Sequence, residues 1–144
     1  MIFRIMTQKI TQLENEHASL WFYPDEGIIH HKFHQPTCGE DFQKVLLTGL
    51  QVMKEYKASK WLSDDRNNTN LPAEDSAWSQ DIWLPRAIKA GWKYWAMLPP
   101  VKARGRINIE RLTGFVVEQY KITVEIFTNP DDAWTWLAQQ GIAD

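Results

Sequence analysis

The feature that most constrains this chain is an alternation of two hydrophobic periodicities. Short β-rich runs and longer runs at helical spacing follow one another almost to the end. Residues 19–23 and 28–33 are β-rich and flank Pro24, Asp25, Glu26 and Gly27, a hairpin-turn composition. Thr37 followed by Glu40 is a capping-box pattern, after which Phe42, Val45, Leu46, Gly49, Leu50, Met53 and Tyr56 recur at helical spacing. Residues 60–64 form a short strand pattern and 65–71 a polar loop. Pro72 suits the first turn of a second helix, with Glu74 and Asp75 near its positive end and Trp78, Ile82 and Ile88 along it. Pro85 should kink or break that helix, and Gly91 should stop it. Residues 92–98 are nearly continuously apolar, as in a strand buried on both faces, and Pro99–Pro100 end the run. A third helix is expected over 107–120, with Ile109, Leu112 and Val116 on one face. A strand over 122–127 follows. Asn129, Pro130, Asp131 and Asp132 then cap and open a last helix that turns Ala133, Trp134 and Leu137 inward.

The order is ββαβαβαβα. Alternating strands and helices imply right-handed crossovers, so the fold class is α/β: a mixed, mostly parallel sheet with an N-terminal β-hairpin and four helices. A single domain is expected over residues 1–144. Residues 1–17 are a mixed, polar and poorly defined N-terminal segment, with a short strand over 9–13 as one reading outside the element order.

At 144 residues the chain is long enough to bury a core without staples. A net charge of -2 supplies no global basic field for a nucleic-acid backbone, so no nucleic-acid partner is expected. Cys38 is the only cysteine, which excludes an internal disulfide and a CxxC pair and fits a reducing compartment. No apolar stretch approaches the ~18 residues that span a bilayer. The first ten residues, interrupted by Arg4, Gln8 and Lys9, lack a signal-peptide core. The expectation is a soluble, cytoplasmic protein with no membrane partner.

Several stretches are distinctive together: residues 60–68 (Lys-Trp-Leu-Ser-Asp-Asp-Arg-Asn-Asn), Glu74–Asp75, Trp78, Trp83, Pro85-Arg86-Ala87, Gly91-Trp92-Lys93-Tyr94 and Ala96, with Phe127, Ala133, Trp134, Trp136 and Leu137 at the end. In these the chain resembles small bacterial proteins placed near the STAS/SpoIIAA-like (anti-sigma-factor-antagonist-like) fold, over roughly residues 18–140. The resemblance implies a STAS-like architecture and a non-enzymatic regulatory or ligand- or protein-binding module. Anti-sigma antagonists carry a phosphorylatable serine at the start of the helix following the third main strand, in an Asp-Ser-Ser or Asp-Ser-Thr context. Here that stretch reads Asp65-Arg66-Asn67-Asn68-Thr69, without a serine, and no phosphosite is carried over.

In open parallel sheets ligands sit beyond the carboxyl ends of the strands. Segments 64–68, 99–102 and 128–129 should meet there. The candidate binding residues are therefore Asp64, Asp65, Arg66, Asn67, Asn68 and Lys102: charged side chains for a small anion or a protein partner, beside helix N-termini. The bland alternative is a turn whose Asp and Asn side chains satisfy their own backbone. A second reading is an enzyme holding a divalent metal at Asp64 and Asp65 with Glu74 or Asp75. Strand neighbours point to opposite faces, so that pair shares a metal only past the strand's end. A third is a carrier of an apolar ligand or lipid. His30 and His34 share a strand face but lie ~13 Å apart, with His31 on the other face; exposed strand histidines are the expectation. Cys38 near a helix N-terminus has no histidine placed by sequence to activate it, and reads as a small packed or half-exposed side chain. The basic run 102–106 lacks the spacing of a nucleotide loop. No catalytic constellation, metal site or cofactor motif emerges.

Eight tryptophans remain to be placed. Trp61, Trp78, Trp92, Trp95 and Trp134 have core or semi-core positions, and Trp21 packs on the hairpin. Trp83 stands about 140° round an ideal helix from Trp78, and Trp136 nearly opposite Trp134. Both are therefore expected on polar faces as interface anchors, for a homodimer or another protein.

Overall fold

In a computed structural model, residues 8–101 and 103–142 are described, with side chains left out over 103–109. The strands are β1 (Ile10–Glu14), β2 (Ala18–Tyr23), β3 (Ile28–Phe33), β4 (Lys60–Asp64), β5 (Tyr94–Leu98) and β6 (Thr123–Ile126). The helices are α1 (Gly39–Tyr56), α2 (Ala73–Trp78), α3 (Leu84–Ala90), α4 (Ala103–Tyr120) and α5 (Pro130–Ala138), with a π-helical turn over Ser79–Trp83 joining α2 to α3. The six strands lie side by side in chain order. β1, β2 and β3 form an antiparallel meander, and β3 to β6 are parallel. The expected α/β class and mixed sheet are therefore present. One strand precedes the predicted hairpin, and α2, the π turn and α3 together make the predicted second helix.

The sheet separates two cores by strand parity. Leu20, Phe22, Ile29, Phe33, Trp61, Trp95 and Met97 face the layer holding α1 and α3. Tyr23, Ile28, Leu62, Ala96 and Leu98 face α5 through Ala133, Trp134 and Leu137. The last helix lies across β4 and β5 on the far side from α1. Its entry is set locally: Asn129 Oδ1 accepts from the backbone N–H groups of Asp131 and Asp132, and Pro130 opens the first turn.

Two local expectations changed. The Thr37–Glu40 capping box does not form. Thr37 Oγ1 instead donates to the Gln35 carbonyl, Cys38 occupies the N-cap position, and the Gly39 N–H is bound by Asp75 Oδ2 from α2 at 3.1 Å. A neighbouring helix thus supplies the cap. The second change concerns Trp83, expected on a polar face and found only 5% exposed. The cause is the π turn, in which the Leu84 N–H reaches the Ser79 carbonyl five residues back. That pitch brings residues five apart, Trp78 and Trp83, onto one side. It also places Pro85 in the first turn of a fresh helix, where its missing N–H costs nothing. Trp83 Nε1 donates to the Leu46 carbonyl at 2.7 Å, and its ring lies edge-on to Trp61 and Trp92. Trp83 is a core residue and not an interface anchor. Trp136 is half-buried, against Phe127.

Rings of Trp61, Trp83, Trp92 and Trp95 run together beneath α1 and α3, with successive centroids 5.1–5.4 Å apart along the chain of contacts. Each such ring buries on the order of 150–250 Å². That accounts for half the tryptophans as core volume. The close approach of α1 to this cluster needs Gly49. A Cβ there would stand 2.0 Å from the six-membered ring of Trp61.

Candidate functional site

The loop that follows β4 stands at the carboxyl end of the parallel strands, as the sequence predicts. The last residue of β4, Asp64, is 3% exposed and by strand parity lies on the α5 side of the sheet with Leu62. Arg66 grips it from two residues on: Nε donates to Oδ1 at 2.9 Å and Nη2 to Oδ2 at 2.7 Å, with the Arg66 backbone N–H also directed at Oδ1. Burial by itself would push the Asp64 carboxyl up. The Arg66 hydrogen bonds and charge, with a smaller contribution from His30, more than offset this and hold it below the usual carboxylate range. The same bonds raise the Arg66 guanidinium against the opposing effect of burial.

Asp65 turns the other way. Its backbone N–H bonds the Leu98 carbonyl at the end of β5, and its Oδ1 lies 2.7 Å from His31 Nε2. His31 in turn accepts the indole N–H of Trp61 at Nδ1, 2.8 Å away. An indole N–H only donates, so Nδ1 carries no hydrogen in this arrangement and Nε2–H donates to Asp65. A buried chain Trp61–His31–Asp65 thus runs from the aromatic core to the loop. Beside it the Trp95 indole donates to Ser63 Oγ at 2.9 Å. The expectation of exposed strand histidines is corrected for His31, which is 3% exposed. Because β3 and β4 are parallel neighbours, His31 sits directly across from Ser63 and is enclosed by the helix layer.

The amides complete the loop. Asn68 Oδ1 accepts the Thr37 N–H at 2.8 Å, the Asn68 N–H bonds the Asp65 carbonyl, and Asn67 Nδ2 donates to the Phe33 carbonyl. The loop is therefore tied to the segment leading from β3 into α1. Asn129 is spent on capping α5. Lys102 lies outside the described residues, as do the side chains of Arg104 and Arg106. Of the predicted group, Asp64, Asp65, Arg66, Asn67 and Asn68 are brought together.

What this arrangement can do is limited by how it is bonded. Both surfaces of the Asp64 carboxylate are taken by Arg66. Arg66 in turn has its charge balanced, which leaves it little pull on a free anion. Asp64 and Asp65 diverge to opposite sides of the sheet, so one metal ion does not reach both. Among the described residues no group of three His, Cys, Asp or Glu side chains is placed to hold a metal. A second polar cluster sits at the open end of the meander, where Ser19 Oγ meets His34 Nε2 at 2.8 Å and donates to Glu14. Ser19 is 1% exposed, and the carboxylate touches the serine rather than the far side of the imidazole, so no accessible nucleophile results. Cys38 is exposed.

Sequence reading missed His31 and Trp61 as parts of the site. Their only sequence signal is a histidine and a tryptophan on two successive predicted strands of a mostly parallel sheet, a pattern that names a face but no partner. No protein-family model, curated protein or solved structure matches this chain. Among the described residues no helix is long and apolar enough to cross a membrane.

Proposed function

We propose that this chain is a non-enzymatic, cytoplasmic regulatory module of the STAS/SpoIIAA-like kind, which recognises a protein through the loop of residues 64–68. The partner is a second copy of the chain or another protein. The observation that carries the reading is the state of the loop. Every carboxylate and amide in it has a partner within the chain, so its shape is set before any encounter. A pre-shaped polar loop loses little conformational entropy on docking, which favours recognition. The same bonds consume the groups that general acid–base or metal chemistry would need. Asn67 is exposed, and Arg66, next to it in the chain, is partly exposed and bonded to Asp64 through Nε and Nη2. Half-buried Trp136 supplies an aromatic contact candidate on α5.

The test is site-directed photo-crosslinking from position 67 in the source cell, combined with native mass measurement of the purified chain. The reading expects one discrete adduct, either with a second copy or with one other protein. An Arg66→Ala variant should weaken that adduct. Uncrosslinked monomer alone, across the growth conditions sampled, overturns it.

A further inference from the structure

At the opposite end of the sheet, below the amino ends of β5 and β6, lies an open hollow of about 400 Å³. We propose that this hollow is a second site, one that takes a small aromatic carboxylate. Its reachable apolar surface comes from half-buried Ile88, Tyr94 and Tyr120 over the buried Trp92 and Ile122, and its polar surface includes Lys93, Lys121 and the Tyr120 hydroxyl. The volume falls in the range of small-molecule pockets, which combine apolar walls with a few placed polar groups.

The charge pattern selects the ligand. No Asp or Glu lines the hollow, although the chain as a whole carries a net charge of -2. Among the described residues neither Lys93 nor Lys121 has a carboxylate partner, and the Tyr120 hydroxyl makes no hydrogen bond. α3 and α4 both end here, at Ala90 and Tyr120, and each helix end brings roughly half a negative charge. Two ammonium charges outweigh these helix ends, whose Ala87, Ile88 and Val117 carbonyls already accept backbone N–H groups, so the hollow favours an anion. The apolar wall and the neighbouring phenol ring ask for a flat hydrocarbon part attached to it. Ligand and loop sites are on opposite ends of the strands, so this site stands or falls independently of residues 64–68.

The test is an amide chemical-shift titration of the intact chain with benzoate, benzyl alcohol and inorganic phosphate. Benzoate is expected to shift the amides of residues 88–93 and 120–123. The Lys93→Gln/Lys121→Gln double variant should bind it about tenfold more weakly, the loss expected from two exposed charge pairs. Both positions are exposed, and an unchanged amide spectrum elsewhere establishes that the variant is folded. Absence of benzoate shifts overturns the proposal. So does equal binding of benzyl alcohol or an unaffected double variant, since the lysines would then recognise nothing. Equal binding of inorganic phosphate at the same amides would also overturn it, by removing the aromatic part.

Discussion

Replacing Gly49 by alanine separates helix propensity from packing in a way the structure decides in advance. Gly49 stands in the middle of α1, where alanine would by itself stabilise the helix by about 1 kcal/mol. The new Cβ, however, would meet Trp61 ring atoms at 2.0, 2.6 and 2.8 Å. Trp61 is 1% exposed, hydrogen-bonded to His31 and flanked by Trp83 and Trp92, so its ring has no empty space to enter. Overpacking of this kind costs about 2–3 kcal/mol, and the net expectation for Gly49→Ala is a loss of about 1–2 kcal/mol. In a chain of this size that lowers the melting temperature by roughly 3–6 °C. Urea unfolding followed by tryptophan fluorescence measures the loss. Amide shifts at Asp65–Asn68 report its passage through His31 into the loop. A cycle with Trp61→Phe sharpens the test, because the shorter ring leaves room for the methyl. In that background Gly49→Ala should be neutral or stabilising, a coupling of about 2 kcal/mol. A Gly49→Ala chain as stable as wild type, or more stable, refutes the packing account.

Three further outcomes follow from the same contacts. Arg66→Ala should cost about 2 kcal/mol near neutral pH, a figure reduced from that of a fully buried pair because Arg66 is partly exposed to solvent. Since the folded Asp64 carboxyl is depressed, the pair's stabilisation is present above the unfolded carboxylate range near pH 4 and is lost as pH falls through the lower folded value; in urea titrations the gap between wild type and variant should close at acid pH, and a gap unchanged down to pH 2 contradicts the assignment. His31→Phe leaves the Trp61 indole N–H and the Asp65 carboxylate without their partner, for a loss of about 2–3 kcal/mol and disturbed amide shifts at residues 65–68; a neutral variant would show that the buried chain contributes nothing. Trp83→Ala should destabilise the monomer by about 3–5 kcal/mol at any protein concentration, whereas a loss appearing only in oligomeric state would return Trp83 to an interface.

The elements and their order are written locally. Periodicity marks β2, β3, α1 and β5, the Asn129–Pro130 pair marks the start of α5, and alternation of strand and helix dictates a parallel sheet. Each signal lies within a few residues of what it specifies. The position of the polar loop follows from the same logic, because it is the sequence after a strand in such a sheet. The partners of its side chains are another matter. Asp65 meets His31 across 34 positions, His31 meets Trp61 across 30, Asn68 meets Thr37 across 31, and Asp75 caps α1 at Gly39 across 36. Parity assigns a side chain to a face, but only the register and helix packing of the assembled sheet choose its neighbour. Trp83 shows the same limit within one helix. Ideal pitch points it to solvent, and a π turn beside Pro85 turns it into the core. The sequence by itself determined an α/β sheet with a polar loop at its carboxyl end. The tertiary structure alone decided that the loop is internally bonded and that its support is an aromatic core, because hydrogen bonds and ring contacts depend on distances that local periodicity does not encode.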